Sequence, residues 1–283
     1  MPTIWRIPNL KGSKSWLATT RVLARDNEAQ LKLVFYHLMR QRTLHVERLG
    51  LVDYESALRI QEQTERAVLT GQQPDTLLLL EHPHTFTLGR RSGQNGVLAS
   101  AAILRERNVN IFETNRGGKV TYHGPGQLVG YPIINLSPDR EDVHRYVRDL
   151  EAVLIAVLED FGIAAFQIKG LTGVHTERGK VAAIGVHIAR WVTTHGFALN
   201  VNPDLTYFDF IIACDGEAVT SMKEVLSHEV EMRAVEDRIM ARFAGIFELE
   251  VEDGDLESTA PDRTDGTHVT HKSHKSPGSL QSQ

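Results

Sequence analysis

Gly179-Lys180-Val181-Ala182-Ala183-Ile184-Gly185-Val186-His187-Ile188-Ala189-Arg190-Trp191-Val192-Thr193-Thr194-His195-Gly196-Phe197-Ala198-Leu199-Asn200-Val201 is the stretch that decides the fold. Two strand-like runs, Lys180–Ala189 and Trp191–Val201, stand with almost nothing between them, which predicts an antiparallel hairpin. Upstream, Val143, Val147, Leu150, Val153, Leu154, Val157, Leu158 and Phe161 recur at helical spacing, and Gly162 ends the run. Ser137 followed by Pro138 reads as the start of that helix.

Further outward, Asp53 is placed to cap a helix running to about Thr70, with Gly71 as its stop. Thr76–Glu81 is a short apolar run suited to a buried strand, and Gln127–Asn135 reads as another. Ser100 caps a short helix to about Arg107, followed by a strand at Val109–Thr114. Ala164–Lys169 and Ile246–Val251 also read as strands, with a last helix over about Val230–Gly245. Strands interleaved with a few helices predict an α/β domain of α+β character, a mostly antiparallel or mixed sheet with flanking helices. The expected organisation is an atypical extension over 1–43, one catalytic domain over 44–253 and a polar tail over 254–283. The tail is rich in Ser, Thr, Asp, His and Pro and cannot bury enough surface to offset its ordering entropy. Its His268, His271 and His274 invite only adventitious metal.

Composition narrows the function. The chain has 283 residues, is 41% hydrophobic and 24% charged, and carries a net charge of −5, which speaks against nucleic acid as a partner. No apolar run approaches the length of a membrane span. The single cysteine, Cys214, cannot form an internal disulfide and fits a reducing compartment, which points to the cytoplasm. Residues 1–25 hold Arg6, Lys11, Lys14, Arg21 and Arg25 and no acid, a pattern shared with organelle transit peptides. The plainer reading is an extension, with Met39 as an alternative start to Met1.

Chemistry concentrates in three places. Arg116-Gly117-Gly118-Lys119-Val120-Thr121-Tyr122-His123-Gly124-Pro125-Gly126-Gln127 combines glycines, which admit close backbone approach, with proton donors and acceptors. It is not a phosphate loop, because neither Gly118-Lys119 nor Gly179-Lys180 is followed by Ser or Thr. Cys214 becomes a nucleophile only if a cation lowers its thiol pKa, and His123, His195 and Lys180 are candidates for that cation. One thiol, one cation and a glycine-lined pocket suggest acyl transfer through a thioester.

From about Leu44 to Val251 the chain resembles the octanoyltransferases of lipoate biosynthesis. The resemblance runs through Glu81-His82-Pro83, Thr87-Leu88-Gly89-Arg90-Arg91, Arg116–Gln127, Gly179–Val186, Trp191–Val201, Cys214 and Val219-Thr220-Ser221. It implies the catalytic-domain fold of the biotin and lipoyl protein ligases. It also implies an octanoyl-[acyl-carrier-protein]:protein N-octanoyltransferase needing no cofactor and no metal. Cys214 would take the octanoyl group from acyl carrier protein, and Lys180 would lower the thiol's pKa and manage protons. Arg116, Gly117, Gly118, Lys119, Val120, Thr121, Tyr122 and His123, with Ala183, Ile184, Gly185, Gly196, Phe197 and Ala198, would line the acyl pocket. The acceptors would be lipoyl domains of 2-oxoacid dehydrogenase complexes and the glycine cleavage H protein, and the enzyme a monomer. The family reads Pro-Cys-Gly at the nucleophile, where this chain reads Ala213-Cys214-Asp215-Gly216. A carboxylate directly after the thiol tends to raise its pKa, in opposition to Lys180. Two other readings are an ATP-dependent lipoate ligase, which would need a nucleotide site and no Cys214, and a non-catalytic member that only binds lipoyl domains or acyl carrier protein.

Overall fold

A computed structural model describes residues 42–93, 96–212 and 216–253. The expected extension up to residue 41, the tail from Gly254 with its three histidines, and Cys214 with Asp215 lie outside the described residues. In chain order the elements are β1 (Thr43–Leu51), α1 (Tyr54–Leu69), β2 (Asp75–Glu81), β3 (Thr85–Leu88), α2 (Ala101–Glu106), β4 (Asn110–Glu113), β5 (Val120–His123) and β6 (Gln127–Ile133). They continue with α3 (Val143–Asp160), β7 (Val174–Thr176), β8 (Gly179–Ala189), β9 (Val192–Asn200), a 3-10 turn at Leu205–Phe210, α4 (Met222–Leu226), α5 (Met232–Phe247) and β10 (Glu250–Asp253).

The large sheet has seven strands in the order β10-β1-β2-β6-β9-β8-β7, with β1 parallel to both β10 and β2 and the remaining pairs antiparallel. Its centre is covered on both faces, so Leu77–Leu80 of β2 form a continuous apolar run with no alternation. Leu77 and Leu79 meet Leu150, Val153, Leu154 and Val157 of α3 and Ile239 and Phe243 of α5 in one cluster. Leu78 and Leu80 meet Ala57 and Val68 of α1 in another. Each of these four leucines is at most 1% exposed, and a fully buried leucine contributes about 1.5–3 kcal/mol. A second sheet, β4-β3-β5, packs Phe86, Val120 and Tyr122 against Leu104, Tyr207 and Ile211.

The predicted hairpin is present, in continuous register from Ala189↔Val192 to Ala182↔Leu199. Arg190 (φ 52°) and Trp191 (φ 63°) both sit in the left-handed region, as a two-residue turn matched to strand twist requires. The mixed sheet with flanking helices is also as expected, and so are the Asp53 cap and Gly71 (φ 69°) after α1.

Four expectations change. Helix α3 starts at Val143, not at Pro138, because the Asp142 side chain accepts the N–H groups of His144 and Arg145. Ala164–Lys169 forms a single bridge, Phe166↔His175, and leaves Phe166 and Ile168 exposed. Ile246 and Phe247 belong to α5, where Phe247 stacks on Phe243 with ring centroids 4.2 Å apart. The strand there begins only at Glu250, after Glu248 (φ 57°) has turned the chain. The glycine-rich stretch contains a strand, β5, and the strands β1, β3 and β7 were not anticipated.

Candidate active site

A pocket of about 220 Å³ lies where the two sheets meet. It follows β8 from Lys180 to Gly185, a rise of about 16 Å along the strand. Along its wall Gly185 pairs with Gly196, Ile184 with Phe197 and Ala183 with Ala198. All six were expected in the pocket, and all six line it.

The loop Arg116–Gly118 closes the Gly185 end. Gly117 donates its N–H to the carbonyl of Val186 at 2.9 Å, laying the loop flat on β8. A Cβ on Gly185 would come within 2.8 Å of the Gly117 carbonyl, so the approach needs a bare Cα. Arg116 is buried and grips Thr87. Its Nη2 donates to the Thr87 carbonyl at 2.6 Å and to Oγ1 at 2.7 Å, and its Nε donates to Oγ1 at 3.1 Å.

From Thr87 a chain of buried hydrogen bonds continues. Gln127 Nε2 donates to the Tyr122 carbonyl (3.0 Å) and to Asn200 Oδ1 (2.9 Å), which leaves its Oε1 to accept from His123 Nδ1–H at 2.7 Å. His123 Nε2 then carries the lone pair, and the Thr87 hydroxyl, already accepting from Arg116, points its proton there at 3.4 Å. Asn200 Nδ2 donates onward to the Thr220 carbonyl at 2.9 Å. Burial, helped by the neighbouring His82 and Arg116, holds the pKa of His123 well below the ordinary histidine value. Burial lowers His195 to about 3, and Arg116 adds to that shift. His195 (φ 57°) is held in a strained left-handed conformation by its N–H bond to Gln61 Oε1 (2.8 Å) and its Nε2–H bond to Asn115 Oδ1 (2.7 Å). This end therefore presents neutral imidazoles in fixed tautomers.

The Lys180 end is different. Lys180 N–H donates to the Ala218 carbonyl (2.8 Å), and Thr220 N–H donates to the Lys180 carbonyl (3.0 Å). The segment that follows Cys214 in the chain is thereby zipped beside Lys180. Glu217 Oε2 lies 3.6 Å from Lys180 Nζ and 3.4 Å from His175 Nε2.

Of the expected site residues, Arg116, Gly118, Lys119, Val120, Thr121, His123 and Lys180 also line the pocket. Gly117 supports it through its backbone. Tyr122 turns into the small-sheet core, stacked on Tyr207 with its hydroxyl 2.9 Å from His84 Nδ1. Cys214 lies outside the described residues. Sequence reasoning missed Glu217, His175, Thr87, Gln127 and Asn200, and the lining residues Tyr54 and Tyr131. Thr87, Gln127 and Asn200 lie in the motif strings of the resemblance, and Glu217 carried the signal of a carboxylate three positions beyond the cysteine.

Residues 53–244 match the family described as the lipoyl protein ligase A/B catalytic domain. An octanoyltransferase of Solibacter usitatus (strain Ellin6076) is 50% identical over 214 residues, covering 75% of this chain and 97% of the relative. An octanoyltransferase of Cytophaga hutchinsonii is 42% identical over 237 residues, covering 76% and 97%. Among solved structures, a bipartite lipoate protein ligase of Thermoplasma acidophilum superposes with a TM-score of 0.59 at 14% identity, covering 74% of this chain and 86% of that one. That likeness is one of fold.

Proposed function

The chain belongs to the lipoyl protein ligase A/B catalytic-domain family and, within it, to the octanoyltransferases of lipoate biosynthesis, and from that premise we propose that it transfers octanoyl through a thioester on Cys214. The donor is octanoyl-acyl carrier protein, and the acceptor is the lysine of a lipoyl domain. The observation that carries this reading is the pairing of residues 218–220 with Lys180, because it brings the chain just beyond Cys214 against the pocket's cation.

The Cys214 thiolate attacks the carbonyl carbon of the donor thioester. The bond from that carbon to the carrier's sulfur breaks, and the departing sulfur takes a proton from the Lys180 ammonium. The acceptor amine then attacks the enzyme thioester, neutral Lys180 takes the proton that the amine loses, and Cys214 leaves as thiolate. Thiolate and ammonium are restored, and the donor thioester supplies the driving force without ATP. The Ala183–Gly185 and Gly196–Ala198 wall holds the acyl chain, and residues 44–253 form the catalytic domain.

The test is to supply a lipoyl domain with octanoyl-acyl carrier protein alone, or with octanoate and ATP. Octanoylation of the domain lysine in the first mixture only is expected. Product formed only in the second would make the protein a ligase, and binding without product in either would make it a non-catalytic member.

A further inference from the structure

Glu217 has no part in the transfer just described, yet among the described residues it is the only carboxylate that pairs with Lys180. Its placement is built rather than incidental. The backbone bonds of Lys180 to Ala218 and Thr220 fix the segment that bears it. The lysine stem crosses the bare Cα of Gly173, where a Cβ would sit 2.6 Å from Lys180 Cε. Gly173 is itself held, its N–H donating to the buried Glu151 Oε1 at 2.9 Å. On the far side of the carboxylate, His175 is 3% exposed and its Nδ1 is buried without a hydrogen-bond partner among the described residues. Among the described residues, the ring's one polar contact to a side chain is therefore Nε2–H donated to Glu217.

We propose that Glu217 is a positioning residue for Lys180: anchored by His175, its carboxylate holds the lysine in place and in the charged form that the first half-reaction needs. This rests on the thioester reading above. The groups facing Lys180 are few. Among the described residues, Glu217 and His175 are titratable, Glu151 lies beneath Gly173, and Thr121, Gln127 and Asn200 on the small cavity beside it are uncharged. Removing the charge of Glu217 while keeping its shape removes the attraction that favours the ammonium.

Two measurements on the full chain test it. In competitive labelling with trace acetic anhydride, the labelling profile of Lys180 in Glu217→Gln is expected to move to lower pH than in the wild type, with Glu217→Asp recovering part of the shift. In single-turnover acylation by octanoyl-acyl carrier protein, Glu217→Gln is expected to lose activity at lower pH on the alkaline side. Identical labelling profiles would overturn the proposal, and so would a rate reduced equally at every pH. If the wild type forms no covalent adduct, the thioester reading fails, and the labelling arm still decides whether Glu217 governs Lys180.

Discussion

The two ends of the pocket are built on opposite plans. From Arg116 at the Gly185 end, a chain of buried hydrogen bonds runs through Thr87, His123 and Gln127 to Asn200, and each donor in it has its acceptor. At the Lys180 end, a lysine and a glutamate face each other at 3.6 Å with side chains 11% and 21% exposed. The first plan fixes shape, since neutral imidazoles in fixed tautomers and a permanently charged guanidinium have nothing to exchange. The second leaves a proton that can move. An acyl transferase needs both: a pocket that does not change as the substrate reacts, and a cation that does.

The comparison breaks first at Lys180. Lys180→Met is expected to lower single-turnover acylation by about 10²–10⁴-fold, the usual range for a proton-transfer group. It should also move the pH dependence of Cys214 alkylation by iodoacetamide upward, toward a free thiol. Melting temperature should barely move, because methionine covers the same stem. A fall in stability with unaltered alkylation would make Lys180 a packing residue.

The opposite end should answer to pH through stability. Burial depresses His195 to about 3, His82 to about 4, and His123 well below the ordinary value. In the unfolded chain each binds a proton below about 6.5, and in the folded chain none does until far lower. Their contribution is therefore complete above about pH 6.5 and is lost as pH falls toward the folded values. Each removes up to about 1.4 kcal/mol per pH unit. Denaturant melts at pH 7 and pH 5 should show the loss, and a flat profile would mean these histidines are not neutral in the fold.

Smaller effects sharpen the contrast. Thr87→Val keeps the shape but leaves His123 Nε2 and Arg116 without the hydroxyl, at a cost of about 1–3 kcal/mol in equilibrium unfolding. A loss of activity without a loss of stability would show instead that Thr87 touches substrate. Tyr122→Phe removes one hydroxyl hydrogen bond to His84 in the small-sheet core, about 1 kcal/mol. Its KM for the acyl donor should stay within twofold, and a larger rise would put Tyr122 back among the pocket residues.

How much of this could be read from the sequence depends on the range of the interaction. The hairpin was legible because its two strands are nearly adjacent and β-rich, and Asp53 and Gly71 were legible because capping is local. Pro138 misled because a favourable local start lost to the Asp142 cap further on. Ile246 and Phe247 misled because the stack of Phe247 on Phe243 extends the helix beyond what its sequence marks. At the site, the glycines of the 116–126 stretch pointed to close approach, and Gly117 on Val186 is that approach. The Glu217–His175–Lys180 cluster was hidden because it depends on a parallel bridge, Lys180↔Val219, between segments that no local pattern connects.

The central claim is a covalent octanoyl intermediate on the one cysteine of the chain. Intact-mass measurement after incubation with octanoyl-acyl carrier protein, without ATP and without acceptor, tests it most directly. The wild type is expected to gain a single octanoyl group that Cys214→Ser does not gain, since a neutral hydroxyl is a far weaker nucleophile than a thiolate. Undiminished transfer to a lipoyl domain by Cys214→Ser would contradict the account.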